Sequence, residues 1–285
     1  MGFMNLKIVV VVFNIEMKNS PTLLSLVKQK TPSFSPAELI IYDNSFVSVH
    51  DYKVINDLKD EFVVYYKHTP QNLTLREIYN LEIKKIRVND YILLLDDDTD
   101  LPANYLMTSY SYINRYPEVN LFSPLIYVHD KLYSPHRSYS YVNMPLTNVV
   151  VGVVSTKNRS VINSGIIVAG RYFIKSGFLY PDFVDFYGTD RVFFDHYASL
   201  NEDYCIMNVR VQHDVSNHPQ NSSIEDYSRV LNRVNVFWIK YLSHQNKSAF
   251  LYKLFMLLYA LKISLQRRNV IFLKSAIKLG CENEK

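Results

Sequence analysis

Only two cysteines occur in the chain, Cys205 and Cys281, in unrelated contexts and without metal-ligand spacing. That excludes a disulfide framework and a cysteine zinc site. Nor does any stretch reach the roughly 18 uninterrupted apolar residues that a membrane span requires. Charge of one sign is scarce too: 31 basic against 27 acidic residues leave a formal +4, with the basic residues scattered over most of the sequence. A nucleic-acid footprint is therefore not expected. Internal repeats and low-complexity tracts are missing. The apolar run from Ile8 to Phe13 is too short for a signal-peptide core and passes straight into Asn14 and Glu16. It reads as a first strand, with a cytoplasmic location as the default.

What is present suffices for a full core: 285 residues, 48% hydrophobic and 20% charged, the scale of one large domain with a helical appendage. The first half alternates strand and helix signals. Leu6 to Phe13, Glu38 to Tyr42, residues 61 to 66 and Tyr91 to Leu95 read as strands. Ser20 with Pro21 caps and opens a helix through Lys28, and Leu73 to Arg87 carries helical periodicity. Strands separated by helices imply parallel βαβ units in an open α/β sheet. Further on, a helix from Pro102 to about Tyr116 and a strand from Asn120 to Val128 lead into an irregular Tyr-, Ser- and Pro-rich region reaching about Thr147. Val161 to Val168 is a strand interrupted by Asn163-Ser164-Gly165, Gly188 to Leu200 a helix, and Tyr204 to Val211 a strand ending in Gln212-His213-Asp214. From Ser223 onward the pattern is helical.

The stretch YILLLDDDTDLP, residues 91 to 102, puts four carboxylates directly behind a buried strand. Four acids cannot be buried unpaired without being driven neutral. A divalent cation resolves the conflict, and Asp96 and Asp98, two apart at a strand end, suit oxygen coordination of Mg2+ or Mn2+. Asp97 would point the other way, and Asp100 is expected to cap the helix that starts near Pro102. An EF-hand loop beginning at Asp96 would need Gly and Glu where Leu101 and Met107 stand, and a haloacid-dehalogenase motif would need Thr or Val where Asp100 stands. In open α/β sheets ligands bind beyond the carboxyl ends of the strands. Asn14, Asp43 and the Asp96 cluster all fall at that edge.

The segments KIVVVVFN at the start, LIIYDNS at 39 to 45, NLTLREIYNLEIKKI at 72 to 86 and YILLLDDDTDLPANYL at 91 to 106 resemble, in order and spacing, the nucleotide-sugar-binding half of family 2 glycosyltransferases of GT-A fold, including those that build bacterial surface polysaccharides. INSGIIVAGRYFIKSGFLYPDFVDFYGTDRVFFDHY at 162 to 197 resembles the acceptor-side segment holding the general base, and VRVQHDVS at 209 to 216 the strand ending in a late histidine. The resemblance implies a mostly parallel α/β catalytic domain over residues 1–220, split near residue 115 into donor and acceptor halves, with a helical extension over 221–285. It implies a UDP- or dTDP-sugar donor, contacted by Asn14, Asp43, Asn44, Asp96, Asp97 and Gly165, with Asp43 accepting from the imide of a uracil or thymine. Asp96, Asp98 and His213 would hold Mg2+ or Mn2+, Asp98 being the direct ligand. Asp190 would deprotonate the hydroxyl of a glycan acceptor, and one-step displacement would invert the anomeric centre.

Some positions depart from the family pattern or keep a second reading. The base segment reads Thr189-Asp190 where the family has Glu-Asp, and Asp182, Asp185 and Asp195 are nearby acids. The family's Asn-Leu-Gly turn is Asn72-Leu73-Thr74. Gly165 also fits a β-bulge, and His213 a strand cap. A sugar-phosphate nucleotidyltransferase uses a similar sheet, but FNIEMKNSP after the first strand has no glycine to cradle a triphosphate. A glycan-binding relative without turnover would have no use for Asp96, Asp98 and Asp190 together. From Lys247 onward, lysines and arginines interrupt a strongly apolar helical pattern. That pattern suits either an interfacial helix on the inner face of a cell membrane or packing against the domain or a homodimer partner.

Overall fold

The computed structural model describes residues 4–31, 37–128, 130–213 and 223–282. Asp214, the end of the expected Gln212-His213-Asp214 exit, lies outside them. The residues fall into two compact units, one comprising Met1–Tyr180 with Thr189–Asp214, the other Pro181–Gly188 with Val215–Lys285.

The first unit is built on a ten-stranded sheet. Its opening strands β1 (Asn5–Val12), β2 (Ala37–Asp43), β3 (Val63–His68) and β4 (Asp90–Asp96) alternate with helices α1 (Pro21–Val27), α2 (Tyr52–Lys59) and α3 (Leu75–Ile83) and pair in parallel in the order β4-β1-β2-β3. β1, β2 and β4 are almost entirely buried, which is why they read as continuous Val, Ile and Leu runs rather than alternating ones. Local caps set the helix starts. The Ser20 hydroxyl accepts from the Leu23 N–H with Pro21 at the first position, and Thr74 and Glu77 form a reciprocal capping box for α3. Thr74, where the family turn carries glycine, is thus a helix cap.

Beyond β4 the sheet becomes mixed. A two-residue strand β5 (Thr99–Asp100) precedes α4 (Tyr105–Arg115), β6 (Leu121–Val128) and β7 (Lys131–Ser134). The irregular region then resolves into short strands: β8 (His136–Tyr139), β9 (Val142–Pro145), β10 (Gly152–Ser155) and β11 (Arg159–Ser160). Of these, β11, β8 and β9 make a separate antiparallel sheet. β12 (Ile166–Ala169), α5 (Gly170–Ser176), α6 (Thr189–Leu200) and β13 (Asp203–His213) complete the unit. The full strand order is β10-β13-β6-β12-β4-β1-β2-β3, with β12 antiparallel to both β4 and β6 and β13 parallel to β6. Two reversals restore direction, so β13 runs the same way as β4. Its carboxyl end, carrying His213, therefore reaches the same sheet edge as Asp96, and the amino end of β12, with Ser164 and Gly165 just before it, reaches that edge from the opposite direction.

Asp100 does not cap α4. The cap residue is Asn104, and Asp100 pairs across β5 with Gln212 of β13. Ladder pairing with a strand more than a hundred residues away overrides the local cap signal, and the chain runs on for several residues before the helix starts. The second unit contains α7 (Ile224–His244), α8 (Phe250–Arg267) and α9 (Ile271–Glu282), and the segment Pro181–Gly188 groups with them.

Candidate active site

The site begins with the turn after β4. α1 fixes that turn through its first residues. The Ser20 hydroxyl donates to the Asp97 carbonyl at 2.8 Å, the Thr22 hydroxyl donates to the Asp96 carbonyl, and the Thr99 N–H donates back to the Thr22 oxygen at 2.8 Å. β5 pairing sets Thr99 opposite His213. The imidazole Nδ1 consequently lies 3.2 Å from the Thr99 hydroxyl and 3.3 Å from the Asp98 carboxylate. Ligand atoms of Asp96, Asp98 and His213 all lie within 4.8 Å of one another. Two carboxylates and one imidazole form a donor set that fits Mn2+ or Mg2+, harder oxygen ligands outnumbering the single nitrogen.

Asp96 is oriented from the facing strand. Its carboxylate accepts a short hydrogen bond from the Ser164 hydroxyl. Ser164 is delivered there because Ile166 is in register with Leu94, which puts the residue two earlier beside Asp96. Gly165 makes the turn possible. It has φ of 82°, its N–H donates to the Leu94 carbonyl at 2.8 Å, and a Cβ there would lie 3.1 Å from Pro124. Next to Ser164, the side chain of Asn163 is 7% exposed, and its Oδ1 has no hydrogen-bond partner among the described residues. Its Nδ2 is 3.4 Å from the Tyr180 hydroxyl. Tyr180 is held in turn by Asn80 of α3, which bonds both its N–H and its carbonyl, and its ring lies 5.7 Å from Tyr79.

Asp190 sits in the first turn of α6 and is half-buried. Burial pushes its carboxyl above the usual range. The Arg191 N–H and guanidinium oppose that, and the negative charge of Asp96 adds to it. The same Asp190 charge raises the phenols of Tyr79, Tyr133 and Tyr180, secondary to their own burial, so these groups share one electrostatic neighbourhood. Arg191 fastens the start of α6 to the small sheet, donating to Asp195 at 2.7 Å, to the Ser138 hydroxyl and to the Ser140 carbonyl at 2.7 Å. Asp195 is therefore engaged as an ion-pair partner. Asp182 and Asp185 belong to the second unit.

The residues that the sequence resemblance assigns to the nucleotide are placed differently. Asp43 is fully buried, and its carboxylate accepts from the N–H groups of Ser45 at 3.0 Å and Val49 at 2.8 Å and from the Tyr66 hydroxyl. Burial acts to raise its carboxyl, but these donors outweigh it and hold it below the usual range. Asn44 is buried too, donating to the Leu73 carbonyl at 2.8 Å and accepting from Thr69 at 2.6 Å. Asn14 is exposed with φ of 54°, and its N–H donates to the Ser45 hydroxyl at 2.8 Å. Asp97 closes the end of β1 by accepting from the Phe13 N–H at 3.1 Å. Desolvation first, and Asp96 after it, raise its carboxyl despite that bond.

The structure thus brings Asp96, Asp98 and His213 together with Asp190 in electrostatic reach, and turns Asp43 and Asn44 toward their own loops. Sequence reading did not assign Thr22, Ser164, Asn163 or the Tyr79–Tyr180 pair. Of these only Asn163 and Ser164 gave a signal, as neighbours of a glycine that breaks a strand.

A mixed α/β sheet with an acid pair at the exit of β4 and helices after the last strand defines the GT-A glycosyltransferase fold, and the chain has it. The likeness extends to solved structures. A fragment of TarS from S. aureus (1-349) superposes with a TM-score of 0.55 at 12% identity over 82% of this chain and 65% of the fragment. GalNAc-T7 solved with UDP, GalNAc and Mn2+ gives 0.57 at 15% over 83% of this chain and 49% of that one. The TarS fragment in complex with UDP-GlcNAc gives 0.54 at 13%. The chain therefore spans about two thirds of the TarS fragment and half of GalNAc-T7. No protein-family model and no curated protein matches the sequence.

Proposed function

We propose that the protein is a metal-dependent, inverting glycosyltransferase that moves a sugar from a UDP- or dTDP-sugar to a hydroxyl of a growing glycan. The observation that carries this reading is the convergence of Asp96, Asp98 and His213 within 4.8 Å at the sheet edge, coupled in charge to Asp190. Two TarS structures contain UDP and UDP-GlcNAc, and the GalNAc-T7 structure UDP and Mn2+, which supports a uridine nucleotide and a divalent cation here as well.

Asp98 and His213, with Asp96 steadied by Ser164, would together hold the cation. When bound, the cation neutralises charge that builds on the leaving diphosphate. Asp190 takes the proton of the acceptor hydroxyl, and the upward push on its carboxyl brings it nearer the basicity a general base needs at neutral pH. Asn163 offers its unused Oδ1 to a donor-sugar hydroxyl. Asn14 lines the entrance to the base subsite, with Asp97 holding β1 beside it. Asp43 shapes that subsite by tying down residues 45 to 49, and an imide N–H reaches it by exchanging with one of its present donors.

Thermal-shift titration with UDP-, dTDP- and GDP-sugars, with and without Mn2+, is the test. UDP- or dTDP-sugars are expected to stabilise the protein in a Mn2+-dependent way. Asp190→Asn should keep that stabilisation while transfer falls about 10^2- to 10^4-fold. Asp98→Ala should lose the Mn2+-dependent part. Preference for a GDP-sugar would overturn the donor assignment, and parental transfer rates in Asp190→Asn would overturn the base.

A further inference from the structure

α8 carries apolar side chains on two opposite faces, yet only one of them is covered. Tyr252, Met256, Ala260 and Ile263 are buried, and the Tyr252 hydroxyl donates to Asn235 of α7 at 2.8 Å. On the opposite face Phe250, Leu251, Leu254, Leu258, Leu261 and Leu265 are exposed, from 43% at Leu261 to 71% at Leu265. The five leucines follow one another at spacings of three and four and so form a continuous stripe. Val270, just before α9, and Ile271 and Ile277 within it are exposed as well. An apolar helix face is ordinarily covered. This one carries a lipophilic stripe that its own unit leaves open.

The charges around the stripe select what would cover it. From Phe250 to the end of α9 there are six cations, Lys253, Lys262, Arg267, Arg268, Lys274 and Lys278, against one acidic residue, Glu282 at the last position. Lys262, Arg268, Lys274 and Lys278 are exposed. Lys262 borders the leucine stripe, one position on from Leu261, and Lys274 stands between Ile271 and Ile277. Heptad-spaced leucines also suit a coiled coil with a second copy, but such pairs are framed by complementary charges. Here the charged residues that α8 of each copy would present to the other are all cations. Among the described residues no helix is long and apolar enough to cross a membrane. A stripe of this width edged by lysine and arginine fits a helix lying in the headgroup region of an anionic bilayer.

We propose that α8 and α9 form a docking surface for an anionic lipid membrane, with the leucine stripe in the acyl boundary and the cations at the headgroups. This surface needs no sugar transfer to operate, so it stands or falls apart from the transferase reading. The test is flotation of the full chain with phosphatidylcholine vesicles and with vesicles that also contain phosphatidylglycerol. Binding is expected only with phosphatidylglycerol, weakening as salt rises. Lys262→Glu with Lys274→Glu should reduce it about tenfold or more. Leu254→Ser with Leu258→Ser and Leu261→Ser should reduce it at every salt concentration, without lowering Tm because these side chains are already exposed. No flotation at low salt, equal binding to neutral vesicles, or a concentration-dependent dimer in light scattering that the serine variant abolishes would each overturn the proposal.

Discussion

The acids beside β2 and α3 and the acids beyond β4 are embedded in opposite ways. Asp43 and Glu82 are buried and saturated by donors of their own chain. Glu82, 1% exposed, accepts from the Tyr42 hydroxyl at 2.6 Å, Lys67 at 2.8 Å and Lys85 at 3.0 Å. Asp190 instead faces the negative charge of Asp96, and its carboxyl is pushed upward, by burial first, where Asp43 and Glu82 are pulled downward. Saturated carboxylates stabilise a fold, whereas carboxylates gathered with like charge cost stability and persist where a cation or a proton is to be handled. The region of β2, β3 and α3 is thus braced, and the edge between β4, β12 and β13 is poised.

The largest expected effect falls on a brace. Burial would raise the Glu82 carboxyl, but Lys67, Tyr42 and Lys85 outweigh it and lower it to about 2. A carboxyl depressed from its usual 4.5 to about 2 contributes on the order of 3 kcal/mol of stability. That stability is complete above the unfolded pKa and lost as pH falls from about 4.5 toward 2. Glu82→Gln should therefore unfold at a clearly lower urea midpoint at pH 7 and show a flatter loss of stability over that acid window. An unchanged midpoint would show that Glu82 is no brace. Glycosyl transfer measured below the variant's Tm should stay near the parent's.

On the poised side a smaller change should move function and leave the fold alone. Ser164→Ala removes the hydroxyl that orients Asp96. Partners of metal ligands typically matter by about 10- to 100-fold in affinity. The Mn2+ concentration for half-maximal donor stabilisation should rise by about that factor, with Tm in the absence of metal nearly unchanged. A fall in metal-free Tm without any shift in Mn2+ requirement would make Ser164 a brace like the donors around Asp43.

How far the sequence exposes these two regions follows from what each depends on. β1, β2 and β4 were legible because strands buried on both faces carry unbroken apolar runs, and α1 because Ser20-Pro21 is a local cap. The small sheet was not: β9, Val142–Pro145, is exposed throughout and has no buried face to set an alternation. The Asp96, Asp98 and His213 positions could be read as strand exits at one edge. The hydroxyl of Ser164 could not be linked to Asp96, because that pairing exists only in the antiparallel register of β12 on β4. Asp100 fails for the same reason, a remote ladder outweighing a local cap. Nor could the burial of Asp43 be seen, since it depends on the loop to Val49 folding back and on Tyr66 of β3.

The smallest expected effect is on stability at Asp190, and its sign separates the two regions. A carboxyl raised by burial and by Asp96 has its ionised form disfavoured in the folded state. Its contribution is therefore best at low pH and is lost as pH rises through the folded pKa, leaving a residual penalty at neutral pH. Asn at this position cannot ionise and retains an oxygen to accept from the Arg191 N–H, now 2.8 Å from Oδ1. In metal-free protein at pH 7, Asp190→Asn should hold or slightly raise Tm, while at acid pH the two proteins should converge. The same conservative change at Asp43 or Glu82 should lower Tm. A drop in Tm at neutral pH for Asp190→Asn would place Asp190 with the braces and remove the physical distinction on which its proposed role as a base rests.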